Sequence, residues 1–325
     1  YKDEKGIYHL VKSHSPEYAD AEDAHYSLSG LIWGLQTLLQ VDQLLKLNDP
    51  DKTKWSEVLQ RLTPLQTSDK GFMIGRNVEL TSSHRHYSHL LAIYPYRLLD
   101  MKNPAHREIT LRSLNHWHSM PAALAGYSYT GASAMYSLLG EGDKSIKYLN
   151  DFLNRHAEPG GLYAESGPCF ETPMAFATSL LEMMIQSDDG KISILPAIPS
   201  EWREMSFKDL GAEGAFRVSA VMYDGILQQV QVKSLAGNRC TLNMISTFDF
   251  DIVSDKRGIV VPVTKKSNGH VSYSFDTKAG ESITLKRKNM STAKDLLVHF
   301  KEGDFKWGLN KTYLKLGNLK DRPFF

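Results

Sequence analysis

The chain has 325 residues, 42% of them hydrophobic and 10% aromatic, enough to bury a real core and long for a single domain. Its 38 basic residues are matched by 37 acidic ones with no basic block, a balance that argues against nucleic acid or an anionic membrane as partner and favours neutral, polar ligands. No run approaches the ~20 apolar residues of a membrane span, and Cys169 and Cys240 are too few for a disulfide scaffold, so two free thiols are expected.

In chain order, the stretch from about Asp23 to Gln186 reads as helical. Leu28, Leu31, Ile32, Leu35, Leu38 and Leu39 recur at the three-and-four spacing of one helix face. Further helices are predicted over about Trp55 to Leu62, Tyr87 to Leu99 and Pro104 to His118, the last capped by Asn103 with Pro104 in the first helical position. Two more are expected over Tyr127 to Leu139 and Asp143 to His156, and Thr172-Pro173 opens another that reaches Ile185 or Gln186. Gly131, Ala132, Ser133 and Ala134 predict close approach of a neighbouring helix.

At Ser187-Asp188-Asp189-Gly190 the period changes from helical to strand-like, which predicts a domain boundary. Strands are expected over Ile192 to Leu195, Phe216 to Met222, Leu227 to Ser234, Arg239 to Ile245, Phe250 to Val253, Ile259 to Val263, Val271 to Phe275 and Ser282 to Lys286. Asp224-Gly225 and Asn268-Gly269 supply hairpin turns. The pattern predicts a helical domain over residues 1–188, an antiparallel β-sandwich over 189–288, and a Lys-rich tail over 289–325 to which no period assigns a structure.

The densest chemistry lies in Ser83-His84-Arg85-His86-Tyr87-Ser88-His89, three imidazoles and a guanidinium ahead of an apolar run. Imidazole and guanidinium groups suit donation to sugar hydroxyls. The His-x-His-x-x-His spacing also admits a zinc site, although no acidic or thiol ligand lies nearby in sequence, and a capping or packing role for some of the three is a further reading. Ser82 or Ser83 is expected to cap the predicted helix here. Tyr127, Trp117 and Tyr163 are either stacking faces for a pyranose ring or core aromatics.

Glycoside hydrolysis requires one carboxylic acid to protonate the leaving oxygen and a second carboxylate as base or nucleophile. Glu17, in Ser13-His14-Ser15-Pro16-Glu17-Tyr18, is a loop carboxylate whose partial burial would favour the protonated form; the alternative is an ordinary surface glutamate. Glu171 precedes Thr172-Pro173, so it belongs at a helix N-terminus, where the dipole favours the ionised form wanted in a base; alternatively it only decorates the helix start. Glu165, six residues earlier, is a reserve candidate.

Taken in order, Ser15-Pro16-Glu17, the string His84 to Leu90 followed by Ile93-Tyr94-Pro95, Gly126-Tyr127-Ser128, Pro168-Cys169-Phe170, and Glu182 to Ser187 with Ile194 to Pro199 resemble glycoside hydrolase family 95, over about residues 7–288. That family contains α-L-fucosidases and α-L-galactosidases. The resemblance implies a β-domain, an (α/α)6 helical barrel holding the site and a C-terminal β-sandwich, of which this chain would supply the later barrel helices and the sandwich. It implies inversion by a Glu acid and an Asp base assisted by Asn residues, with no redox or nucleotide cofactor and no metal.

Carried onto this sequence, the resemblance makes Glu17 the acid and His84 and His86 sugar contacts; Arg85, Tyr127 and Glu165 are further binding candidates from the residues themselves. Two departures stand out. Pro173 occupies the position of the family's Asp, which leaves Glu171 as the replacement base or the base lost, and Gly131 and Ala132 replace the usual Trp and basic residue beside Gly126-Tyr127-Ser128. The expected substrate is a glycan and the expected location secreted or periplasmic. The missing N-terminal part of the enzyme is the expected protein partner, and a non-catalytic carbohydrate-binding fragment is the alternative.

Overall fold

The computed structural model describes residues 1–156, 163–164, 168–267 and 269–288, without the side chains of 163, 164, 168 and 169. Two short strands, β1 (Ser13–Ser15) and β2 (Ala19–Ala21), form a hairpin ahead of α1 (His25–Leu45) and α2 (Lys52–Arg61). After the small hairpin of β3 (Thr67–Ser68) and β4 (Gly71–Phe72) come α3 (Pro104–His118), α4 (Gly126–Leu138) and α5 (Gly142–Arg155). The strand pair β5 (Tyr163–Ala164) and β6 (Pro168–Cys169) precedes α6 (Glu171–Met184). Helices followed by sheets is the order that the periodicity predicts, with six α-helices among the described residues. None of those helices is long and apolar enough to cross a membrane.

By contact density the chain divides into two compact units, Tyr1–Met135 and Tyr136–Phe325. In the first, α1 buries His25, Leu28, Ser29, Leu35 and Asp42, while Trp33, Leu38, Val41, Leu44 and Leu45 stay exposed. The predicted leucine stripe is therefore only partly the buried face. The expected cap of α3 is present, with Asn103 Oδ1 accepting from Ala105 N at 2.9 Å and Pro104 at the helix start.

The helix predicted over Tyr87 to Leu99 is absent. Ser88–Leu90 make one 3-10 turn and the chain then winds through turns, with Arg97 in the left-handed region at φ 49°. Leu90, Ala92 and Ile93 are buried without any exposed face between them, so the apolar run carries no helical period, and Pro95 has no N–H with which to continue a helix. The expected helix cap is likewise replaced. Ser83 Oγ donates to Met120 O at 2.5 Å and accepts from Ala123 N at 2.8 Å, tying two loops together.

In the second unit α5 and α6 meet over Leu149, Met183 and Ala197, with Ile146, Phe176, Leu180 and Trp202 packed around them. The strands are β7 (Ile185–Asp188), β8 (Lys191–Ile194), β9 (Met205–Ala212), β10 (Phe216–Tyr223), β11 (Ile226–Ser234), β12 (Cys240–Ile245), β13 (Phe250–Ser254), β14 (Gly258–Ile259), β15 (Val263–Ser267), β16 (His270–Phe275) and β17 (Ser282–Arg287). They form a six-stranded antiparallel sheet in the order β14-β13-β17-β11-β10-β9 and a five-stranded sheet in the order β15-β16-β12-β8-β7. The second sheet is mixed rather than purely antiparallel, because β8 pairs parallel to β12.

Alternation explains the packing. Val218, Ala220, Val230, Val232, Ile283 and Leu285 of the first sheet and Ile192, Leu242, Met244, Val271 and Tyr273 of the second turn every other side chain into one apolar cluster. Each fully buried aliphatic there contributes about 1.5–3 kcal/mol of transfer free energy. Asp224 and Gly225 both take positive φ, 54° and 74°, as a two-residue hairpin turn requires. Asn268 lies outside the described residues, as does the tail over 289–325. The period change at Ser187 to Gly190 covers the end of β7 and the Asp189-Gly190 turn of the β7–β8 hairpin. Cys240 is buried and free, and burial pushes its thiol up to about 12.

Candidate active site

The β1–β2 hairpin presents Glu17 at its tip. Tyr18 N donates to Ser15 O at 2.7 Å to close the turn, and the side chain of Glu17 stands 60% exposed. The burial expected to favour a protonated carboxyl is thus missing, and Glu17 Oε2 instead accepts from Arg85 Nη2 at 2.5 Å. In the same unit the Glu17 backbone N–H donates to His84 Nε2 at 3.3 Å, and Ser15 Oγ meets Ser88 Oγ at 2.9 Å.

The string around His84 is anchored from three sides. Trp117 is fully buried, and its indole N–H donates to His84 O at 2.8 Å. It is a core residue rather than a stacking face for sugar. Ser128 Oγ donates to Arg85 O at 2.7 Å. Tyr87 lies against Tyr127 with ring centroids 4.9 Å apart and donates its hydroxyl to that of Tyr127 at 3.0 Å. Gly-Tyr-Ser at 126–128 therefore holds the His-rich string through Tyr127 and Ser128.

His84 is buried, 8% exposed, and its Nε2 is taken up by the Glu17 amide. Burial, reinforced by the neighbouring His86 and Arg85 charges, lowers its pKa below the ordinary value. His86 is half-buried, with its ring edge-on to His84 at 5.2 Å and to Tyr127 at 6.1 Å. Tyr127 is also half-buried, so His86, Arg85 and Tyr127 all keep accessible surface, and Arg85 does so against the Glu17 carboxylate. His89 is 1% exposed, edge-on to Trp117, and burial lowers its pKa well below the ordinary value. Among the described residues no three His, Cys, Asp or Glu side chains gather as they would around a metal ion.

At Gly131 the close neighbour of α4 is the Tyr87 ring, since a Cβ there would lie 2.3 Å from Tyr87 Cε1. Elsewhere α4 does meet helices, with Tyr129 edge-on to His118 of α3 and Ser137 Oγ donating to Ser145 Oγ of α5 at 3.0 Å.

Glu171 belongs to the second unit. It is exposed in the first turn of α6, and its Oε2 accepts from Phe170 N at 3.1 Å. Glu165 and the side chain of Tyr163 lie outside the described residues. Tyr18, Ser15, Ser88 and Ser128 stand inside the quoted strings without an assigned role, because their partners lie 43 to 73 positions away along the chain. The family-like Ser-Pro-Glu and Gly-Tyr-Ser strings were the available signal.

The family models match in two consecutive pieces. The glycosyl hydrolase family 95 catalytic domain matches residues 1–183, and the glycoside hydrolase family 95 C-terminal domain matches residues 186–285. The chain belongs to glycoside hydrolase family 95. A curated relative, alpha-L-fucosidase 2 of Arabidopsis thaliana, is 27% identical over 157 residues, covering 44% of this chain and 18% of that protein. The chain thus spans about a fifth of the length of that relative.

Among solved structures, the catalytic domain of a GH30 xylanase C from Talaromyces cellulolyticus aligns over 25% of this chain and 19% of its own, with 16% identity and a TM-score of 0.19. A GH127 β-L-arabinofuranosidase from Geobacillus stearothermophilus aligns over 81% and 42%, with 10% identity and a TM-score of 0.24. Neither likeness bears on the fold of this family 95 chain.

Proposed function

We propose that this chain carries part of an inverting, exo-acting glycoside hydrolase that removes α-L-fucoside- or α-L-galactoside-like residues from glycans, with Glu17 as general acid and Glu171 as base. The observation that carries the reading is that the family-like strings around Glu17 and His84 fold onto one another, Glu17 Oε2 accepting from Arg85 Nη2 at 2.5 Å and Glu17 N–H donating to His84 Nε2 at 3.3 Å. To act as acid the Glu17 carboxyl would leave Arg85 and take up a proton when substrate binds. Family membership and the fucosidase relative support the same substrate class.

In the acid step Glu17 would protonate the departing glycosidic oxygen. A base on the opposite face of the ring would take a proton from the attacking water, across a carboxyl separation of ~6.5–9.5 Å typical of inversion. Arg85 and His86 supply donors for sugar hydroxyls, and Tyr127 offers a ring edge. No step calls for a redox or nucleotide cofactor.

The architecture proposed with it is part of an (α/α)6 barrel, the helical domain of residues 1–188, followed by a β-sandwich of residues 189–288. The exposed Trp33, Leu38, Val41, Leu44 and Leu45 on α1 are what a barrel helix offers to neighbouring helices of the same enzyme. Glycan substrates lie outside cells, which supports a secreted or periplasmic location.

The test is hydrolysis of an α-L-fucosylated oligosaccharide followed by NMR of the first product anomer. The β-anomer is expected initially, with turnover lost in Glu17→Gln and in Glu171→Gln while ligand binding persists. Pro173, standing where the family carries its Asp, favours a second reading, a non-catalytic carbohydrate-binding fragment. That reading requires Glu171→Gln to change nothing measurable.

A further inference from the structure

Three separate ties join the hairpin that carries Glu17 to the segment 81–88. At one end Ser15 Oγ meets Ser88 Oγ, both residues being buried. In the middle Glu17 N–H donates to His84 Nε2. At the other end the phenol oxygen of Tyr18 accepts from Thr81 N at 2.8 Å and Ser82 N at 3.1 Å, and lies 3.2 Å from both Thr81 Oγ1 and Ser82 Oγ. The Tyr18 ring packs at a tilt against the imidazole of His84, with centroids 5.5 Å and ring planes 58° apart. Each tie alone is an ordinary hydrogen bond of about 0.5–1.5 kcal/mol. Tyr18 is different because one atom collects two main-chain donors and two hydroxyls next to the residue whose carboxylate must be aimed.

We propose that Tyr18 is a positioning residue for Glu17: its phenol oxygen pins the hairpin to residues 81–82 and thereby holds the Glu17 amide on His84 Nε2 and the Glu17 carboxylate on Arg85. The inference rests on the reading of Glu17 as the acid, and Tyr18 itself has no part in the chemistry. Partial burial opposes ionisation of the Tyr18 phenol, but the hydrogen bonds from residues 81 and 82 outweigh it and lower its pKa, in keeping with an oxygen that serves mainly as acceptor.

His84 is the built-in reporter. An Nε2 that accepts an amide proton must be bare, which places the imidazole proton on Nδ1, whereas a free neutral imidazole favours Nε2–H. With 15N-labelled histidine, the His84 signals, identified by their loss in His84→Gln, should show a bare Nε2 in the unmodified chain at neutral pH. Tyr18→Phe keeps the ring against His84 and removes only the oxygen.

In Tyr18→Phe the His84 signals are expected to move to the Nε2–H form or to an average of the two forms. kcat/KM for an α-L-fucoside with an alkyl leaving group should fall roughly ten- to hundred-fold through kcat, with KM unchanged, as expected when a reacting group is misplaced by a fraction of an ångström. An α-L-fucosyl fluoride, whose leaving group needs little protonation, should be spared. An unchanged His84 signature in Tyr18→Phe overturns the proposal whatever the activity. So does a kcat for the alkyl substrate that survives in Tyr18→Phe but not in Glu17→Gln. If Glu17→Gln itself keeps full activity on the alkyl substrate, the acid reading fails, and the histidine spectrum alone then decides whether Tyr18 holds the hairpin.

Discussion

Tyr87 lies flat on Tyr127, with ring planes 13° apart and hydroxyls hydrogen-bonded, and the space for its ring exists only because residue 131 on α4 has no side chain. A Cβ there would meet Tyr87 Cε1 at 2.3 Å and Cδ1 at 2.8 Å. Tyr87 is 3% exposed and cannot swing out without uncovering Trp117 beside it. Gly131→Ala should therefore destabilise the chain by about 1–3 kcal/mol, the usual cost of overpacking a filled core. Thermal unfolding checks this, and Tyr87→Leu in the same chain should recover part of the loss.

Glu281 is fully buried in the second unit. It accepts from Ser254 Oγ at 2.5 Å, Arg257 Nε at 2.7 Å and Lys278 N at 2.7 Å. Burial works against its charge, but those donors prevail and hold its pKa below the ordinary 4.5. A depressed carboxylate stabilises fully above its unfolded pKa and loses that contribution as pH falls from there through the folded value. Urea midpoints should accordingly drop on acidification below about 4.5 and do so less in Glu281→Gln. Glu281→Ala should cost about 1–3 kcal/mol, because it leaves the buried Ser254 hydroxyl and the Lys278 N–H without their acceptor, whereas Arg257 is exposed and keeps its bond to Asp276 O.

His25 behaves in the opposite chemical sense with the same acid-side outcome. It is 1% exposed, packed edge-on to Phe72, with neither ring nitrogen hydrogen-bonded among the described residues, and burial lowers its pKa to about 3. Between about 3 and its ordinary 6.5 the unfolded chain takes up a proton that the folded chain refuses, so stability falls with falling pH across that window. The limiting slope is about 1.4 kcal/mol per pH unit. His25→Leu should flatten that part of the stability profile, and guanidinium unfolding at several pH values measures the slope.

Asn103→Ala removes the side chain that caps α3 through Ala105 N. A loss of about 1 kcal/mol is expected, as for other N-caps, with faster amide exchange in the first turn of α3 as the local readout.

Much of the fold was legible where local rules agree with burial. Asn103-Pro104 marks a helix start by its own chemistry, and Asp224-Gly225 marks a turn because both positions need positive φ. Strand β9 escaped because only Met205 and Phe207 of its eight residues are buried, while Lys208, Asp209 and Gly211 break the alternation. Strand β7 escaped because Ile185 continues the apolar period of α6 and only four residues, the last three of them polar, make up the strand. The Ser-Pro-Glu and His-Arg-His strings pointed to the site residues, but the pairing of Glu17 with Arg85 spans 68 positions and belongs to the tertiary structure alone. His84 shows the limit most clearly: its residue type suggests a ligand donor, whereas its Nε2 is engaged by a main-chain amide.

The parallel pairing of β8 with β12 carries a consequence for how this protein can be cut and recombined. The β7–β8 hairpin follows α6 directly and also completes the five-stranded sheet, so a cassette excised at residue 189 would leave β8 as a bare edge along Lys191–Ile194. Such an edge, with Ile192 and Ile194 no longer covered on that side, invites pairing with foreign strands. Transplanting the sheets into another enzyme therefore calls for a junction ahead of Ile185, where helix gives way to strand, rather than at the hydrophilic Asp188-Asp189-Gly190 turn that looks like a natural seam.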